Sequence, residues 1–116
     1  MKLKVSKFFM QFTIAGFTYY DGIKVFNQLE IGQKLKLKIE PENRYDPEAV
    51  AVYFYDKQLG YVPKAQNKTL FQFIALGYDI FECYINSISH REHPEKQISV
   101  LVRIKKNKNG KTKNKK

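Results

Sequence analysis

The segment "KLKLKIE" at residues 34–40 limits the possible folds more than any other stretch of this chain. Its apolar and charged residues alternate strictly, with Leu35, Leu37 and Ile39 at every second position. Successive side chains of a β-strand point to opposite faces of the sheet, so the pattern predicts a strand that is buried on one face and lined by lysines on the other. The fold must therefore contain a sheet with one solvated face.

Five further segments have the residue types of β-strands. The segment at 7–17 is rich in aromatic and β-branched residues and is expected to end at Gly16. The segment at 48–56 alternates poorly, which predicts burial on both faces. A short strand at 57–63 follows a tight turn and stops at Pro63. The remaining predicted strands cover residues 80–89 and 97–105.

One stretch, residues 64–79, has helical spacing instead. Apolar residues recur there at i, i+3 and i+4, namely Leu70, Phe73 and Ile74. Gly77 follows where a C-terminal cap would end the helix. We interpret the apolar face of this helix as part of the core.

The other segments connect these elements. Residues 18–22 are predicted to form a loop, and residues 25–33 a short 3₁₀ or helical piece before the next strand. A chain of 116 residues has room for one core. We therefore predict a mainly β fold with one α-helix, a small antiparallel β-barrel of the OB-like or SH3-like type, over residues 7–104.

The charge of the chain favours a polyanionic partner. The formal net charge is +10, which indicates nucleic acid first and an acidic membrane surface second. Seven lysines and no acidic residue lie within residues 105–116, so residues 1–104 carry only +3 of that charge. We expect this basic tail to be disordered. Two roles stay open for it: a solvated end that aids solubility, or an arm that adds non-specific attraction to phosphates.

Several classes of protein are disfavoured by the sequence. Cys83 is the only cysteine, which excludes an internal disulfide and fits a cytoplasmic location. No apolar run is long enough to predict a membrane span, and residues 1–17 favour a strand over a signal peptide. His90 and His93 lie in a polar loop, so no metal site is expected. No nucleophile–base signature or Gly-rich phosphate loop indicates an enzyme or a cofactor.

Three segments occur in a specific order along the chain: "AGFTYYDG" at 15–22, "EPENRYDPEAVAV" at 40–52 and "LGYVP" at 59–63. Together they resemble the HIRAN domain, which occurs at the N-terminus of SWI2/SNF2-type DNA translocases and as stand-alone bacterial proteins. The resemblance spans residues 9–103. It implies an OB-like barrel that binds the 3′ end of single-stranded DNA in a pocket.

The resemblance also implies roles for single residues of that pocket. Tyr19 or Tyr20, together with Tyr45, would stack terminal bases, since a tyrosine ring stacks on any base at about 1–3 kcal/mol. Asp46 would accept a hydrogen bond from the free 3′-hydroxyl, and Asn43 would help to hold the terminal nucleotide. A carboxylate repels internal phosphates but bonds strongly to an unblocked hydroxyl, which favours an end over a continuous strand. The cations expected to bind backbone phosphates are Lys36, Arg44 and Lys64.

Simpler roles and other functions stay open. Asp46 before Pro47 also fits turn chemistry, in which the side chain bonds nearby backbone amides, and the tyrosines also fit packing at strand ends. The segment "ISVLVRI" at 98–104 lacks the aromatic that the translocase members place in the last strand, so we expect a shallower pocket. The alternative function is a protein-interaction module that docks on a larger DNA-processing enzyme, and a third is a small nuclease subunit.

Overall fold

Six antiparallel strands form a single sheet. The computed structural model describes residues 6–89 and 98–105. The strands are β1 (Ser6–Thr13), β2 (Lys34–Glu40), β3 (Ala49–Phe54), β4 (Lys57–Tyr61), β5 (Phe81–Ile88) and β6 (Ile98–Lys105). The described helical elements are α1 (Gly22–Val25), α2 (Lys68–Ala75) and 3₁₀ turns at Phe17–Tyr19, Phe26–Gln28 and Lys64–Gln66. The order of strands across the sheet is β1–β6–β5–β2–β3–β4.

The two edges of the sheet meet through an isolated bridge between Ala15, just beyond β1, and Tyr61, the last residue of β4. These residues exchange backbone hydrogen bonds of 2.8 and 2.9 Å. Gly60 allows β4 to lie this close to Ala15, because a β-carbon at residue 60 would clash with the carbonyl oxygen of Ala15. The sheet therefore curls into an OB-like barrel that is not closed by continuous pairing. The predicted mainly β fold is confirmed.

The inner face of the sheet carries the core, as the sequence pattern predicts. β2 buries Leu35 and leaves its three lysines exposed on the outer face. β3 is buried on both faces, since Val50 and Val52 join the core while Ala51, between them, is also fully buried. Because Ala51 is small and faces outward, a long side chain from the next strand can lie across it.

The helix within residues 64–79 is shorter than the segment that predicted it. α2 inserts Leu70, which is fully buried, into the core. The chain turns at Gly77 with a φ of 93°, so the predicted C-terminal cap is confirmed. The interpretation of the apolar face as core is only partly correct, because Leu76 is 74% exposed and Phe73 is 38% exposed.

Two predictions near the start of the chain are wrong. The first strand ends at Thr13 rather than at Gly16, because the chain turns there and buries Phe17 completely in the core. The segment at 18–22, predicted as a loop, contributes to the first 3₁₀ turn and to α1. Both helical pieces are short and are stabilised by tertiary packing, which a local sequence pattern does not reveal. The predicted domain boundary lies after residue 104. Of the predicted tail beyond it, residues 106–116 lie outside the described residues.

Candidate nucleic-acid interface

Asn43 organises the loop at 41–47, which connects β2 to β3. Its Oδ1 accepts backbone N–H bonds from Tyr45 at 2.8 Å and from Asp46 at 3.0 Å. Its Nδ2 donates to Oε1 of Glu40 at 3.0 Å. A side-chain oxygen that accepts bonds from N–H groups two and three residues ahead is a common way to fix a tight turn. Asn43 thus sets the backbone that carries Tyr45 and Asp46.

A second anchor of this loop comes from β4. The Tyr61 hydroxyl donates a hydrogen bond of 2.7 Å to Oε1 of Glu40, two strands away. The ring can reach that far because Ala51 of β3 stands directly opposite Tyr61 and offers only a methyl group. Burial raises the pKa of Tyr61 to about 12, and Glu40 adds to the rise. The phenol therefore keeps its proton, and with it the bond, at neutral pH.

Asp46 links the loop to the start of α2. Its Oδ1 accepts the backbone N–H of Glu48 at 2.9 Å, and its Oδ2 accepts Nδ2 of Asn67 at 2.8 Å. The turn chemistry considered from the sequence is therefore present. Each carboxylate oxygen has two acceptor positions, and the side chain is only half-buried, so Asp46 retains capacity for a further donor.

Asn67 is a residue of this site that sequence reasoning missed. It is 2% exposed and precedes α2, but its side chain makes no cap bond to the helix and donates to Asp46 instead. Tyr61 was likewise missed as a site residue, although it belongs to the "LGYVP" segment. Asn67 and Tyr61 each lie 21 residues from their hydrogen-bond partners, Asp46 and Glu40. The only sequence feature that pointed to either residue was the "LGYVP" segment, which contains Tyr61.

The tyrosines predicted to stack bases differ in their surroundings. Tyr20 packs edge-on against Tyr61, with ring centroids 5.5 Å apart and an interplanar angle of 77°. Tyr45 is 88% exposed, and within residues 6–89 and 98–105 its ring contacts no other aromatic ring. Tyr19 is also largely exposed. The structure thus brings Tyr20 to the Tyr61–Glu40–Asn43 network, while Tyr19 and Tyr45 project into solvent.

The predicted phosphate-binding cations are all exposed. Lys36 lies on the outer face of β2, Arg44 lies in the loop beside Tyr45, and Lys64 begins the 3₁₀ turn that precedes Asn67.

An open depression of about 390 Å³ lies at the base of the loop at 41–47, lined by Glu40, Pro41, Glu42 and Asn43.

The described residues contain neither a candidate metal-binding group nor a helix that could span a membrane. In the part of the chain that the structure describes, no three His, Cys, Asp or Glu side chains come together to form a group that could hold a metal ion. His90 and His93 lie outside the described residues. No helix among the described residues is long and apolar enough to span a membrane.

Comparison with known families decides the classification, since the sequence model of the HIRAN domain matches residues 7–107. The chain belongs to the HIRAN domain family. This family is known as a nucleic-acid-binding module. Apart from Ser6, the match covers all six strands, so the resemblance of the three sequence segments to the HIRAN domain is confirmed.

Two solved structures share the fold of this HIRAN domain. A crystal structure of a protein from Lactobacillus plantarum has a TM-score of 0.76 at 18% identity, covering 90% of this chain and 100% of that chain. The crystal structure of the HIRAN domain of human HLTF has a TM-score of 0.69 at 16% identity, covering 93% of this chain and 85% of that chain. No curated protein sequence matches the chain.

Proposed function

We propose that this HIRAN domain binds single-stranded DNA and prefers an end with a free 3′-hydroxyl. The observation that carries the proposal is the loop at 41–47, in which Asn43 fixes the backbone of both Tyr45 and Asp46. The loop thereby presents an aromatic ring and a hydroxyl acceptor from adjacent positions. These are the two groups that recognition of a terminal nucleotide needs.

Stacking supplies most of the affinity in this proposal. Tyr45 is 88% exposed, so its ring is available to a base. Tyr20 is a second, partly exposed ring, and its contact with Tyr61 connects it to the same loop. Each stacked base contributes about 1–3 kcal/mol whatever its identity, so the binding is expected to be independent of base sequence.

The preference for an end comes from the charge of Asp46. A carboxylate accepts a charge-assisted bond from a hydroxyl but repels a phosphate at the same position. Internal phosphates bind instead to nearby exposed cations, namely Lys36, Arg44 and Lys64. We place this binding activity in the cytoplasm, in keeping with Cys83, which is buried and free.

A matched pair of exposed tyrosines tests the stacking role. Tyr45 and Tyr55 are 88% and 79% exposed, and Tyr55 lies in the turn between β3 and β4, outside the proposed site. Tyr45→Ala should weaken binding of a short single strand by about tenfold, measured by fluorescence anisotropy. Tyr55→Ala should change it little. Equal effects of the two substitutions would refute stacking on Tyr45.

The alternative function, docking on a larger DNA-processing enzyme, is favoured by one observation. Beyond the core part of α2, Phe73 packs edge-on against Tyr78 at 5.8 Å, and Leu76 nearby is 74% exposed. Large contiguous apolar patches mark protein-interaction sites, and in this alternative these side chains would belong to one. If docking were the whole function, the wild-type chain would bind a strand with a free 3′-hydroxyl no more tightly than one with a 3′-phosphate, so a comparison of these two strands by fluorescence anisotropy separates the two functions.

A further inference from the structure

The outer face of β2 carries a row of cations that the recognition of an end does not need. We infer that Lys38, Lys36 and Lys34 form a phosphate-binding track, along which the strand runs from its bound 3′ end toward its 5′ side. The direction of the track rests on the proposed function, because the end site fixes where the strand starts. The track itself rests on the lysines alone.

All three lysines are exposed. Within the described residues none of them forms a salt bridge, whereas Lys24 and Lys105 each contact an aspartate. Within the described residues their ammonium groups are therefore not held in ion pairs. Three exposed ammonium groups on one strand form a surface that attracts a polyanion.

The spacing of the row suits a single strand. Alternate residues of a β-strand lie about 6.7 Å apart, which is comparable with the distance between successive phosphates of an extended nucleic-acid strand. Positively charged tracks combined with aromatic rings are the usual surface for single-stranded nucleic acid. The row thus fits one phosphate per lysine.

Tyr53 of β3 helps to position this row. It stands directly opposite Lys36 in the strand pairing. The Nζ of Lys38 lies over the Tyr53 ring, 5.1 Å from its centroid. This cation–π contact restrains a side chain that is otherwise flexible. Lys38 is therefore held in place next to the proposed end site.

The row of lysines adjoins the proposed 3′-end site at Lys38 and stops at Lys34. Glu40 follows Lys38 on the same face of β2 and is bonded to both Tyr61 and Asn43. At the far end Lys34 pairs with Tyr84 of β5, whose hydroxyl donates to Glu82 at 3.1 Å. The acidic Glu82 makes β5 unsuitable for phosphates, so the track follows β2.

The first test compares two triple variants of the full chain. K34Q/K36Q/K38Q removes the row, and K7Q/K24Q/K57Q removes the same charge from other exposed positions. In fluorescence anisotropy with single-stranded DNA, the slope of log K against log salt should fall by about 2 in the first variant, at about 0.7 per phosphate, and by much less in the second. The gain in affinity on lengthening the strand from about three to about nine nucleotides should also disappear only in the first. Equal slopes and equal length dependence would overturn the track.

The second test uses the wild-type chain and so does not depend on the folding of a variant. Neutral methylphosphonate linkages are placed either next to the 3′ end or next to the 5′ end of one oligonucleotide of about nine nucleotides. Those near the 3′ end should weaken binding more, and equal weakening would overturn the direction. If the wild-type chain does not prefer a free 3′-hydroxyl but the two triple variants still differ in their salt slopes, end recognition alone is refuted. If the wild-type chain prefers the free 3′-hydroxyl but the two triple variants have equal salt slopes, the track alone is refuted.

Discussion

The Tyr61 hydroxyl donates a 2.7 Å hydrogen bond to Oε1 of Glu40, and the same oxygen accepts Nδ2 of Asn43 at 3.0 Å. Through this shared acceptor, the edge strand β4 holds the loop at 41–47 in place. The contact also connects the ring pair of Tyr20 and Tyr61 to the loop that carries Asp46. A bond between two strands of the barrel thus shapes the candidate site.

Tyr61→Phe should lower the free energy of unfolding by about 1 kcal/mol, because it removes a hydrogen bond to a partly buried carboxylate. Urea denaturation measures this change. Tyr55→Phe is the control, since Tyr55 is exposed and should tolerate the loss of its hydroxyl. A Tyr61→Phe variant as stable as the control would show that the bond contributes nothing.

The same bond predicts a dependence on alkaline pH. The pKa of Tyr61 is raised to about 12, so the folded state keeps the proton that the unfolded state loses near pH 10. The stabilisation is therefore complete below about pH 10 and is lost as the pH rises toward about 12. The difference in stability between wild type and Tyr61→Phe should shrink over that interval. The buried Cys83, whose pKa is also raised to about 12, is present in both proteins and cancels.

Asn43→Ala should destabilise the chain by about 1–2 kcal/mol, since two backbone N–H groups lose their acceptor and Glu40 loses a donor. Binding of single-stranded DNA should weaken as well, because Tyr45 is no longer held in one position. Denaturation and anisotropy together measure both effects. Asn86→Ala, at an exposed position with one bond of 3.3 Å, should change neither by more than about 0.5 kcal/mol.

Much of the fold follows from local pattern, and the site does not. The alternation at 34–40 gives β2 with its observed bounds, and Gly77 marks the turn after α2, because each pattern is local to its element. The Tyr61–Glu40 and Asp46–Asn67 bonds each join residues 21 apart in sequence. No periodicity encodes such contacts. They arise only when the sheet curls and brings β4 and α2 against the loop.

Asp46 has a structural role in addition to the proposed one, and two substitutions separate them. Asp46→Ala leaves the nearly buried Asn67 amide without its acceptor and should cost about 1–3 kcal/mol of stability. Asp46→Asn keeps an oxygen for the Glu48 N–H, and its amide nitrogen can donate to Asn67 once the Asn67 amide turns round to present its oxygen. It should therefore cost less than Asp46→Ala. Thermal or chemical unfolding measures both. Equal stability of the two variants would show that the oxygen facing the Glu48 N–H contributes nothing.

Gly60→Ala should be the most damaging small substitution in the sheet. Gly60 has a φ of 148°, and its missing β-carbon would clash with the Ala15 backbone and with Ile14. The edge bridge between Ala15 and Tyr61 would have to open, at an expected cost of about 3 kcal/mol. Gly32→Ala is the matched control, because a β-carbon there meets nothing within 4 Å although φ is also positive. A similar loss in both variants would assign the effect to backbone strain rather than to the bridge.

The affinity for one oligonucleotide carrying either a free 3′-hydroxyl or a 3′-phosphate tests the central claim most directly. The wild-type chain should bind the hydroxyl form at least about tenfold more tightly, since a hydrogen bond to a charged acceptor contributes about 1.5–3 kcal/mol. In Asp46→Asn, the ratio of the two affinities should fall toward one while binding of the strand itself persists. Equal affinity of the wild-type chain for the two ends would contradict recognition of a free 3′-hydroxyl by Asp46.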